Sequence, residues 1–210
     1  MTLPDGFTDI PPGKLAAIAT VLERRVPPRP GEFDAAARPE WHFAAVERPG
    51  LDWYVDLLSR VGSQHLWYQR LIQGPAAIAA KIGDPATVIH ALTVDGRAEG
   101  IAELDFTEPD GPELVYFGVT PALVGSGAAR FMMQHLLGSA FSRPIGRLWL
   151  HTNTNDHPRA MGFYRRAGFV PVRQMLELAD DPRLIGLFPA ETAPHLPLFP
   201  IEGAARRDDR

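Results

Sequence analysis

Apolar and polar positions follow two different periods along this chain, and the change of period divides it. From Gly13 to Arg25, the residues Leu15, Ile18, Ala19 and Leu22 recur at helical spacing, and Pro27, Pro28 and Pro30 stop the pattern. The spacing predicts one helix within an N-terminal arm over residues 1–39, too short to bury a core of its own. Trp41–Val46 reads as a first strand, broken by Pro49-Gly50. Leu51, Tyr54, Leu58 and Val61 share one face of a helix over 51–61. Leu66, Trp67 and Leu71 mark a second over 64–72, and Pro75–Ile82 is another helical piece.

Strand periods then take over. Ala86–Val94 is apolar and β-prone, and Asp95-Gly96 after it is a two-residue hairpin signal. Arg97–Phe106 returns, with Ala102, Leu104 and Phe106 on one face and Ile101, Glu103 and Asp105 on the other. Glu113–Thr120 completes a three-stranded meander. A helix over 125–137, a strand over 147–151, a helix over 156–167 and a last strand from Phe169 to about Met175 follow. The order predicts a mixed α/β (α+β) domain on a central sheet, an antiparallel meander followed by helix-strand-helix-strand. It spans residues 40–178, and a Pro-rich tail occupies 179–210.

Composition narrows the chemistry. The 210 residues carry 21 Lys and Arg against 25 Asp and Glu, a formal net charge of -4, which argues against a general nucleic-acid binder. No apolar run approaches the roughly 20 residues of a membrane helix, and the start lacks the basic-then-apolar plan of a secretory signal, so a cytoplasmic protein is expected. Cysteine is absent, which excludes disulfides, thiolate metal sites and a cysteine nucleophile. His65, His90 and His135 show no metal-ligand spacing, and no metal is assigned.

One local run carries a binding signal. After the third meander strand, Val124-Gly125-Ser126-Gly127-Ala128-Ala129 opens a helix on small residues. Unpaired amides at a helix start bind anions, and glycine lets a pyrophosphate approach the backbone. No Lys follows Gly127, so the run is not a Walker A loop, and Arg130 occupies the third small position of a dinucleotide fingerprint. Further on, His157-Pro-Arg-Ala160-Met-Gly-Phe163-Tyr164 ends in Gly168-Phe169.

Together the two segments resemble the GCN5-related N-acetyltransferase (GNAT) superfamily. Its acetyl-CoA loop reads Gln/Arg-x-x-Gly-x-Gly/Ala, and its later helix Asn-x-x-Ala-x-x-Leu-Tyr before Gly-Phe. Val124 stands at the Gln/Arg position and His157 at the Asn position. A subgroup with Glu-Leu-x-Tyr-Phe-Gly and Thr-x-x-x-Asp-His-Pro-x-Ala is similar at Glu113–Gly118 and Thr152–Ala160. The resemblance implies a GNAT-like sheet with helices on both faces. It also implies direct acetyl transfer from acetyl-CoA to the amine of a small molecule or peptide. Phe117, Gly118 and Val119 would meet the pantetheine arm, with a bulge at Gly118; Val124 to Ala129 would hold the pyrophosphate; His157, Ala160 and Tyr164 would complete the coenzyme A site.

Tyr164 is expected to serve the departing thiolate and Glu113 to act as base, with Glu103 as its alternative. Tyr116, His151 and Trp67 are candidates for the acceptor pocket, and Asn155 or Asp156 for the helix cap. Acidic residues Glu103, Asp105 and Glu113 would suit a cationic amine. Two other readings stand beside this one: a coenzyme A-binding module without catalysis, and an unrelated nucleotide enzyme. The apolar tail from Leu184 to Ile201 would cover either its own domain or the second subunit of a homodimer.

Overall fold

The structure is a computed structural model that describes residues 5–33 and 38–200. Seven strands form one sheet: β1 (Lys14–Arg24), β2 (Trp41–Ala45), β3 (Thr87–Val94), β4 (Arg97–Asp105), β5 (Glu113–Val119), β6 (Leu148–Asn153) and β7 (Val170–Asp180). Their spatial order is β2-β3-β4-β5-β6-β1-β7. The hairpin between β3 and β4 turns on Asp95 (φ 48°) and Gly96 (φ 83°), the paired positive φ values of a type I′ turn.

Four helices cover the sheet. On one face α1 (Leu51–Gly62) and α2 (Pro75–Ile82) bury Tyr54, Leu58 and Ile78 against Ile89 and Ile101. On the other face α3 (Ala128–Ala140) and α4 (Ala160–Arg166) bury Met132, Leu136 and Tyr164 against Leu22, Leu104 and Leu150. The alternation along β4 divides as its sequence implies, with Ala102 and Leu104 toward α3 and Ile101 toward α1.

Two expectations about elements fail. Residues 13–25 are not a helix in a separate arm but the strand β1, inserted between β6 and β7. Leu15, Ala17, Ala19 and Val21 are buried, so a period of two was present; Ile18 and Leu22 happened also to fit a helical stripe. The first 39 residues therefore contribute a strand to the sheet of the same domain. Residues 64–72 form two short 3₁₀ turns, Ser63–His65 and Leu71–Gln73, because Leu66 takes a left-handed conformation (φ 51°) between them.

The tail drapes over its own domain. Phe188 and Ala193 bury against Leu15 and Leu66. The buried Arg183 guanidinium pairs with Asp181 at 2.7 Å and donates to the carbonyls of Leu196 and Pro197.

Candidate active site

The parallel pair β5 and β6 registers only at Glu113 and Trp149, and beyond that point the strands diverge. Between β4 and β5 the pairing passes from Glu103–Tyr116 to Leu104–Leu114, so Val115 is the extra residue of a bulge. The bulge thus sits at Val115, not at Gly118. Gly118 answers a different need: a Cβ there would lie 2.7 Å from Val61 Cγ1 and 3.1 Å from the Trp67 ring. The divergence opens a cleft of about 740 Å³.

The loop before α3 forms one end of this cleft. Gly125 (φ 83°) and Gly127 (φ 95°) hold the left-handed conformations that its path requires, and open space lies where their Cβ atoms would be. The Ser126 amide donates to Leu123 O, the Ala128 amide to Ser126 Oγ, and the Arg130 amide to Gly127 O. The alternate amides, of Gly125, Gly127 and Ala129, have no acceptor among the described residues, and these same residues line the cleft. Ser126 and Ala128, also expected at the cofactor, shape the loop and do not line the cleft, and Ala128 is fully buried.

Arg130, Arg159 and Arg166 also line the cleft, and none has an ion-pair partner among the described residues. The motif reading passed over them. Long cations drawn from separate elements leave no local spacing signal. Glu32 and Phe33, which precede the domain boundary expected from sequence, line it too. Glu32 is fixed by Arg24, whose guanidinium donates to both its oxygens and to Ala167 O; these bonds hold the Glu32 carboxyl at about 2.

Phe117, Gly118, Val119, Val124, His157, Ala160 and Tyr164 line the cleft. Tyr164 is buried among Phe117, Phe163 and Phe169. Burial, helped by the Asp156 charge, pushes its pKa up, so the phenol stays protonated.

The other end of the cleft carries carboxylates. Trp67, Tyr116 and His151 line it, together with Asn153, Asp156 and Glu177. Asp156 does not cap α4. It accepts from Trp67 Nε1 at 3.0 Å and Thr152 Oγ1 at 2.7 Å, which pins the Trp67 ring over Gly118. Glu177 accepts from Tyr68, Gln69 and Asn153. Both carboxylates thus have only neutral donors.

Glu113 does not itself line the cleft; its Oε1 lies 3.1 Å from Nδ1 of His151, which does. That hydrogen bond raises the His151 pKa despite partial burial. Glu103 is fully buried away from the cleft, accepting from Tyr54 at 2.5 Å and from Arg70, and Asp105 is paired with Lys81 at 2.6 Å. Neither is placed to meet an acceptor, because each is already neutralised inside the fold.

Comparison with known proteins places the chain in a family. The sequence model of the Acetyltransferase (GNAT) family matches residues 51–169, more than half of the chain. The chain belongs to this family. It is 33% identical over 94 residues to uncharacterized N-acetyltransferases of Mycobacterium tuberculosis and Mycobacterium bovis, a match covering 45% of this chain and 60% of those relatives. Among solved structures, a putative GNAT acetyltransferase of Novosphingobium aromaticivorans has a TM-score of 0.54 at 18% identity, covering 83% of this chain and 70% of that one. A functionally unknown conserved protein of Staphylococcus epidermidis has a TM-score of 0.60 at 13% identity, covering 80% and 64%. At such identities the likeness concerns the fold. Among the described residues no helix is long and apolar enough to cross a membrane.

Proposed function

We propose that the protein transfers an acetyl group from acetyl-CoA directly to a cationic amine acceptor. The observation that carries this reading is the pairing of a phosphate-sized cradle with a proton-handling pair along one cleft. The free amides of Gly125, Gly127 and Ala129, flanked by Arg130, Arg159 and Arg166, suit the pyrophosphate and the further phosphate of coenzyme A. β5 offers its backbone edge to the pantetheine arm where it leaves β6.

Acetyl-CoA supplies an acetyl thioester. We assign His151 the tautomer with Nδ1–H toward Glu113, 3.1 Å away, which leaves the Nε2 lone pair for the acceptor. We assign Nε2 the proton of the attacking amine, and Glu113 the positioning of the ring and stabilisation of the imidazolium. The acceptor's ammonium first gives one proton to Nε2 and becomes a neutral amine; as its C–N bond forms and the C–S bond breaks, the Tyr164 hydroxyl donates to the leaving sulfur and is reprotonated by the nitrogen's second proton, so that an amide, the coenzyme A thiol and one released proton result. The carboxylates of Asp156 and Glu177 favour an acceptor that arrives protonated.

Thermal-shift comparison of acetyl-CoA, ATP and NAD, followed by coenzyme A release with a panel of amines, tests the reading. The expected outcome is stabilisation by acetyl-CoA alone and release that depends on a cationic amine. Tight coenzyme A binding with no transfer to any amine would favour the non-catalytic module instead.

A further inference from the structure

The acceptor end of the cleft holds a carboxylate with more capacity than the fold uses. Glu177 of β7 is half-buried and lines the cleft. Its Oε1 accepts from the Tyr68 hydroxyl at 3.1 Å and from Gln69 Nε2 at 2.9 Å, and its Oε2 accepts from Asn153 Nδ2 at 3.0 Å. A carboxylate offers about four lone-pair sites, so one stays open on Oε2. The donors are all neutral, and no Lys, Arg or His lies within ion-pair distance of Glu177 among the described residues. A half-buried charge without a counter-charge costs the fold free energy that an arriving cation returns.

Strand pairing fixes where the open site lies. β1 separates β6 from β7; its Ala19 pairs with both Asn153 and Met175, and its Ala17 with Glu177. Directly paired residues share a face, and so do residues two apart on one strand, so His151, Asn153 and Glu177 stand on one face of the sheet. The register shift at Val21–Leu22 falls outside this stretch and leaves its alternation unbroken. His151 and Asn153 lie about 7 Å apart along β6. The Glu177 carboxylate rests against Asn153, so its open oxygen is displaced by about the same 7 Å from the His151 ring. Asp156 is not equivalent. Trp67 and Thr152 hold it, and its charge acts on Tyr164 as well, toward the thioester.

We propose that Glu177 selects an acceptor with two cationic amines, an α,ω-diamine acetylated at one nitrogen beside His151 and held through the other by Oε2 of Glu177. This rests on the cleft being the acetyl-transfer site proposed above and adds a second charge to the acceptor. The transfer itself is unchanged, and the second nitrogen keeps its proton throughout. An extended diamine of about four or five carbons spans about 7 Å between its nitrogens. A shorter one cannot reach both groups, and a monoamine leaves Glu177 without a counter-charge.

Calorimetric binding of diamines from 1,2-diaminoethane to 1,8-diaminooctane, and of the monoamines of matching length, to the coenzyme A-saturated full chain tests this. Affinity is expected to peak at 1,4-diaminobutane or 1,5-diaminopentane and to exceed that of the matching monoamine by about tenfold or more. Glu177→Gln keeps an acceptor for Tyr68 and Gln69 but no charge, and should erase that preference. Glu177→Asp draws the carboxylate back toward β7 and should move the optimum to a longer diamine, a change that a merely structural role would not produce. A diamine bound no better than its monoamine, an affinity indifferent to chain length, or a preference that survives in Glu177→Gln would each overturn the inference. Coenzyme A release with the same amines is read separately: its absence with every amine would overturn the transfer, whereas the calorimetry decides the site of the second cation.

Discussion

Replacing Ala129 by proline deletes one hydrogen-bond donor of the cradle proposed to hold phosphate and little else. Ala129 is the second residue of α3, and its amide has no acceptor among the described residues, so proline forfeits no intrahelical bond there. The ring's fixed φ suits a first helical turn. A hydrogen bond to a charged group contributes about 1.5–3 kcal/mol, and about 1.4 kcal/mol corresponds to a factor of ten in affinity. Coenzyme A should therefore bind roughly ten- to a hundredfold more weakly to Ala129→Pro, measured by isothermal titration calorimetry. The melting temperature should stay close to that of the natural chain.

The informative comparison is with acetyl-pantetheine, which lacks the pyrophosphate. Turnover of that thioester should be nearly indifferent to the substitution, because Ala129 lies at the phosphate end and His151 and Tyr164 lie along the rest of the cleft. If both thioesters lose affinity by the same factor, the cradle does not hold phosphate. If neither does, the Ala129 amide is not a ligand.

Three further outcomes follow from the site. Glu113→Gln should move the acidic limb of the pH–rate profile to lower pH and lower the plateau, because the bond to Glu113 is what raises the His151 pKa. Had Glu113 been the base itself, the limb would vanish, so the two assignments separate in one titration. Tyr164→Phe should reduce turnover by about tenfold or more while leaving coenzyme A affinity unchanged; equal losses in both would mark a packing role. Glu103→Ala should destabilise the fold by about 3–5 kcal/mol in urea unfolding, since it strands the buried Arg70 charge. A wild-type unfolding curve would refute that reading.

Much of the frame was legible in residue order. Asp95-Gly96 announced its hairpin because the turn chemistry is local. The loop from Gly125 to Ala129 announced its backbone path because glycine at positive φ and small residues at a helix start are local requirements too. Tyr164 and His151 both line the cleft, the first indicated by the family motif on its helix and the second by its place at a strand end.

Partnership was decided by the tertiary fold alone. Glu103, Asp105 and Glu113 look equivalent along the chain, yet Arg70 and Lys81 neutralise the first two while the third orients His151. β1 reads as a helix in isolation and becomes a strand because β6 and β7 supply the ladder that its backbone needs. Arg130, Arg159 and Arg166 converge on the cleft from α3, the turn before α4 and the end of α4. Periodicity and turn chemistry act over a few neighbouring residues, so the sequence determined most of the elements and the path of the loop. Charge neutralisation and strand pairing act between residues far apart in the chain, and only the folded sheet could assign them.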